Sequence, residues 1–113
     1  MKQKLLTLLQ SELETEQKSI DKFKKNFDEN YAHALSWGTE VFAAAAAIKV
    51  IKYTMAELAH PESTVESVQN MLLRKMTHKA KFPASSTSET SNLIEKYELA
   101  SIATLFGVCN TLA

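Results

Sequence analysis

Read in heptads from Leu6, the apolar positions of the first half of the chain fall on Leu6, Leu9, Leu13, Ile20, Phe23, Phe27, Ala34, Trp37, Val41, Ala44, Ile48, Ile51, Met55 and Leu58. Only Glu16 and Asn30 interrupt the register. Both prolines, Pro61 and Pro83, come later, so no proline stops a helix before residue 60. An unsupercoiled helix drifts about 20° per heptad from such a stripe, so a spacing held this long favours one gently supercoiled helix over 2–59. Unbroken, it would reach on the order of 85 Å. The alternative is a bend between Asn30 and Gly38, since glycine inside a helix costs about 1 kcal/mol relative to alanine.

The two halves of this stretch differ. Residues 2–29 carry dense charges of both signs, whereas in 31–59 only Glu40, Lys49, Lys52 and Glu57 are charged. The first half reads as a solvated helix with a narrow apolar seam, the second as a helix buried on most sides. The small side chains Ala43, Ala44, Ala45, Ala46 and Ala47 predict the tightest helix packing there.

Pro61 ends this helix because its ring disfavours the α conformation at His60. Ser63-Thr64-Val65-Glu66 then fits a capping box that opens a helix over about 64–80, with Val65, Val68, Leu72 and Met76 on its apolar face. Residues 81–87, with Pro83 and a Ser/Thr cluster, read as a loop. A second box, Ser86 to Glu89, opens a helix over about 88–112. That helix is apolar around nearly its whole circumference and is expected to be the central element, with Gly107 permitting close approach.

The expected architecture is therefore all-α and a single domain: a long N-terminal helix, with or without a bend at 30–38, and two shorter helices packed back on it. The shorter pair holds roughly forty residues and cannot line the whole first helix at 1.5 Å per residue. Residues 2–29 are left bare in this arrangement, which predicts a helical bundle or coiled-coil-like oligomer, most simply a homodimer, or a helical protein partner. The expected contact residues are Leu6, Leu9, Leu13, Ile20, Phe23, Phe27 and Trp37, with the aromatic side chains as anchors. Glu16 and Asn30 would then fix register, or mark where the seam meets water.

Composition narrows the setting. The chain has 113 residues, 45% hydrophobic and 23% charged, which suits one folded domain rather than disorder. Thirteen basic and thirteen acidic side chains cancel, so no overall field draws it to nucleic acid or an anionic membrane. Cys109, the sole cysteine, has no internal disulfide partner, and Glu12, Glu14 and Glu16 interrupt any export signal. Lys49, Lys52 and Glu57 interrupt the most apolar stretch, 41–59, against a membrane span. A cytoplasmic protein is expected.

Candidate chemistry is sparse. Two glycines, at 38 and 107, cannot build a phosphate-binding loop. Glu57 and His60 have the Glu-x-x-His spacing of di-iron bundles, which need a second such motif and two further glutamates; the simpler account is a histidine at a helix C-terminus. Glu29 and His33 lie one turn apart as a surface pair, and His78 sits among cations that oppose a metal. Cys109 lies on an apolar helix where thiols are unreactive. No cofactor, metal or catalytic residue is assigned. Arg74, Lys75, His78, Lys79, Lys81 and Phe82 form a basic amphipathic stretch that holds a phosphate backbone or acidic partner in one reading and is a solvated helix end in the other. The function expected is that of a non-enzymatic helical interaction module. The alternatives are anion or nucleic-acid contact through Arg74, Lys75, Lys79 and Lys81, and a metal-binding bundle at Glu57 and His60.

Overall fold

A computed structural model describes residues 2–29, 38–81 and 89–112, with the backbone alone at 38, 39, 81 and 89–91. Among the described residues there are four helices and no strand: α1 (Lys2–Glu29), α2 (Gly38–Leu58), α3 (Val65–Lys81) and α4 (Glu89–Leu112). The architecture is an all-α bundle, with the end of α2 and the start of α3 within one position of the expected bounds; the expected loop over 81–87 lies, apart from Lys81, outside the described residues.

The single rod over 2–59 is corrected. α1 and α2 are separate helices that lie antiparallel, with the Lys2 ammonium donating to the His60 carbonyl at 2.9 Å, 58 residues away in sequence. The periodicity identified the apolar face of each helix, but a stripe says nothing about what covers it. Of the α1 seam, Leu9 is 1% exposed, and Leu6 and Leu13 pack half-buried against the core; of the α2 seam, Ala44, Ile48, Ile51 and Leu58 are buried. The α2 seam from Ala44 to Leu58 and the first three turns of the α1 seam are covered by this chain, because two helices with matching stripes bury more apolar area by facing each other than by continuing end to end, while Ile20 and Phe23 are half-buried and Phe27 is exposed. The half expected to be bare is thus sheltered over its first three turns. The proposed break at 30–38 falls mostly outside the described residues, as do Asn30, His33 and Trp37.

In space the helices run in the order α1, α2, α4, α3: α2 packs on both α1 and α4, and α4 on both α2 and α3. One core joins them, from Leu5 and Leu9 through Val50, Ile51 and Leu58 to Val68, Leu72, Ile102, Leu105 and Cys109. Thr54 is buried there with its hydroxyl satisfied, donating to the Val50 carbonyl at 2.7 Å, whereas the Tyr53 hydroxyl beside the core is buried without a hydrogen-bond partner. α4 is central as expected, yet it shares that position with α2 and leaves Ile94 and Leu99 exposed.

The α2–α3 corner shows how local chemistry sets a boundary. The Ser63 hydroxyl reaches back to the Leu58 and His60 carbonyls at 3.1 and 2.7 Å, closing α2. The cap of α3 is therefore Thr64 rather than Ser63. The Ser67 amide donates to the Thr64 hydroxyl (3.1 Å) and the Thr64 amide to the Ser67 hydroxyl (2.8 Å), a reciprocal box one residue later than the spacing predicted. The expected second box at Ser86 lies outside the described residues.

Gly107 is also reassigned. It is exposed on α4, a Cβ built there would meet no atom within 4 Å, and its φ is not positive. No close approach depends on it. Gly107→Ala is expected to raise the unfolding free energy by about 0.5–1 kcal/mol, read from the urea midpoint, because alanine loses less backbone entropy in a helix.

Candidate functional site

α1 and α4 both lean on α2 without meeting along their length, and between them a half-open groove of about 610 Å³ runs over α2. Each helix contributes one stripe at helical spacing. Leu5, Leu8, Leu9, Glu12, Glu16 and Ser19 come from α1; Glu40, Ala43, Ala44, Ala47 and Ile51 form the floor; Tyr97, Ala100, Ser101, Thr104, Leu105 and Val108 form the α4 wall. At 1.5 Å per residue these stripes extend roughly 16–21 Å, about three turns of helix. The alanines account for the depth: Ala43, Ala44 and Ala47 keep the floor low, while Ala44 and Ala46 are buried against the neighbouring helices, and Ala100, Ser101 and Thr104 keep the far wall low.

Charge divides the groove along its axis. The end built from Leu5, Ile51, Leu105 and Val108 is apolar, whereas Glu12 lies midway along the α1 wall and Glu16 and Glu40 line the part beyond it. No basic side chain lines it. Burial, and then the charge of Glu12 one turn away, push the Glu16 carboxyl above the usual glutamate range.

The residues expected to bind a partner do not form one surface. Leu9 lines the groove but is buried in the core; Leu6 and Leu13 pack against that core; Ile20 and Phe23 are half-buried; Phe27 is 44% exposed and stacks against Phe23 with ring centroids 6.0 Å apart. Trp37 lies outside the described residues.

Two of the four candidate anion contacts are engaged inside the bundle. The Lys79 ammonium bonds both Glu95 carboxylate oxygens at 3.1 Å and lies 3.5 Å from Glu98, and the Lys75 ammonium sits 4.4 Å from the centre of the Tyr53 ring. Glu98 also receives Lys49, at 3.2 Å, so this ladder ties α3, α4 and α2 together. Tyr53 stands beside it: burial, and then the Glu98 charge, push its phenol up to about 12. Arg74 is exposed, and the Lys81 side chain is not described.

Glu57 and His60 do line one hollow, together with Glu62 and Ser63. Among the described residues, however, no three histidine, cysteine or acidic side chains are placed to hold a metal ion. The Lys2 ammonium, donating to the His60 carbonyl, adds a positive charge beside this residue. Cys109 is fully buried and its thiol is pushed up by burial, which disfavours the reactive thiolate. No described helix is long and apolar enough to cross a membrane.

No family model, curated protein or solved structure matches this chain. The function must therefore be argued from the groove itself. Its signal in the sequence was present but divided. Small residues at 43, 44 and 47 and at 100, 101 and 104 mark two shallow helix faces, but only the α1–α2 reversal and the α2–α4 pairing bring those faces to one side.

Proposed function

We propose that the protein is a non-enzymatic interaction module that accepts one helix of a partner protein in the groove between α1 and α4. The groove's shape carries this reading: a trough about three turns long, walled by two helices and floored by alanines, matches the apolar face of an amphipathic helix. Its volume suits the side chains of one such face, with the rest of the incoming helix left in solvent. Leu8, 41% exposed on the rim, supplies apolar contact that the chain leaves uncovered. The groove is preferred to the α1 seam as the docking surface because the first three turns of that seam already pack against α2.

The test uses a fluorescein-labelled, helix-stabilised peptide of about 14 residues, with leucines at i, i+3, i+4, i+7 and i+11 and neutral polar residues elsewhere. Fluorescence anisotropy is expected to report saturable binding. Ala100→Phe, which adds bulk to an exposed wall position, should weaken it at least about tenfold, or 1.4 kcal/mol, while Leu73→Ser on the exposed side of α3 should leave it unchanged. Binding that ignores Ala100→Phe would overturn the proposal. So would a native mass by sedimentation of twice 12.6 kDa that Ala100→Phe halves, because the occupant would then be a second copy.

A further inference from the structure

We infer that the helix taken up carries lysine or arginine at one end and a purely apolar stripe at the other, a statement that rests on the groove being a helix site. Three carboxylates line the groove on the side away from its apolar end: Glu12 at the middle of the α1 stripe, and Glu16 and Glu40, the latter in the first turn of α2, beyond it. Each has to be weighed against its ordinary role. Glu40 is explained in part by the positive end of the α2 dipole. Glu12 and Glu16 have no such account: they lie in the middle of α1 and one turn apart, where like charges destabilise a helix. Among the described residues no ion pair joins Glu12, Glu16 or Glu40 to a cation, although basic side chains are plentiful elsewhere on α1.

The arrangement is unfavourable in the free chain and becomes favourable when a cation enters. Burial and the neighbouring Glu12 charge both oppose ionisation of Glu16 and raise its carboxyl above the usual glutamate range. An incoming ammonium or guanidinium would offset both. The apolar end offers no such partner, being lined by Leu5, Ile51, Leu105 and Val108. Charge would then set which way the helix lies, while the leucine stripe supplies most of the affinity.

The experiment compares three peptides of identical leucine stripe, bearing two lysines, two glutamines or two glutamates in one terminal turn, against the wild-type chain and the variant Glu12→Gln/Glu16→Gln/Glu40→Gln. Circular dichroism confirms that the variant folds. The lysine peptide is expected to bind about tenfold more tightly than the glutamine peptide, and the glutamate peptide more weakly still. The lysine advantage should vanish in the triple variant and at roughly 1 M salt, where the Debye length is about 3 Å. Equal affinity of lysine and glutamine peptides for the wild-type chain would overturn the inference while leaving the groove reading intact. Failure of all three to bind would overturn both.

Discussion

Leu9→Ala is expected to lower the unfolding free energy by about 2–5 kcal/mol, a large share of the roughly 5–15 kcal/mol that holds a domain of this kind. The cost follows from position: Leu9 is 1% exposed and belongs to the cluster that joins α1 to Val50, Ile51 and Leu105, so its deletion leaves a cavity between α1 and the helices it packs on. Urea denaturation at two protein concentrations tests it. A midpoint shift independent of concentration is the expected result, since the atoms surrounding Leu9 belong to the same molecule. A projecting α1 covered by a second chain would behave differently, with a midpoint that moves with concentration. Phe27→Ala supplies the contrast: at 44% exposed, that ring should contribute less than about 1 kcal/mol. Equal effects at the two positions would sink the antiparallel pairing of α1 with α2.

The second large effect is expected from Lys79→Met. Lys79 is 19% exposed and its ammonium serves Glu95 and Glu98; the Glu98 side chain is 8% exposed. Without Lys79, Glu98 keeps only Lys49, whose side chain is 64% exposed, so that the remaining attraction is screened by water. A buried carboxylate deprived of its inner partner costs about 1–3 kcal/mol. Glu98→Leu added to Lys79→Met removes the stranded charge, and the double variant should be more stable than the sum of the two single losses predicts. Thermal or urea unfolding of the four proteins closes the cycle. Strict additivity would mean that the ladder contributes no coupling energy.

These two positions also show where the sequence was informative. Leu9 was assigned to an apolar face correctly, because a 3.5-residue repeat reports the direction of a side chain whatever lies opposite. The partner of that face was misjudged, because an uninterrupted register across residues 30–37 is equally compatible with a rod and with two helices that fold together. Lys79 was read as part of a basic surface because α3 has no acid near it in sequence. Its carboxylates come from α4, 16 and 19 positions along, and only the antiparallel packing of α3 on α4 supplies them. Helix ends after residue 58 were legible because proline and hydroxyl caps act locally; even there, Ser63 was drawn into closing α2 and the cap passed to Thr64. The groove was the least legible feature, since its three stripes belong to helices that meet only after the chain has reversed direction.

The spatial order α1, α2, α4, α3 has a kinetic consequence. Both outer pairings join helices that are neighbours along the chain, so each can zip from its own turn with little ring-closure entropy to overcome. The α2–α4 seam has no such local starting point, because its contacts join segments about fifty positions apart, as Lys49 and Glu98 do. The rate at which two preformed hairpins find that seam is what sets the tempo of folding, and substitutions along it should slow refolding more than those inside either hairpin.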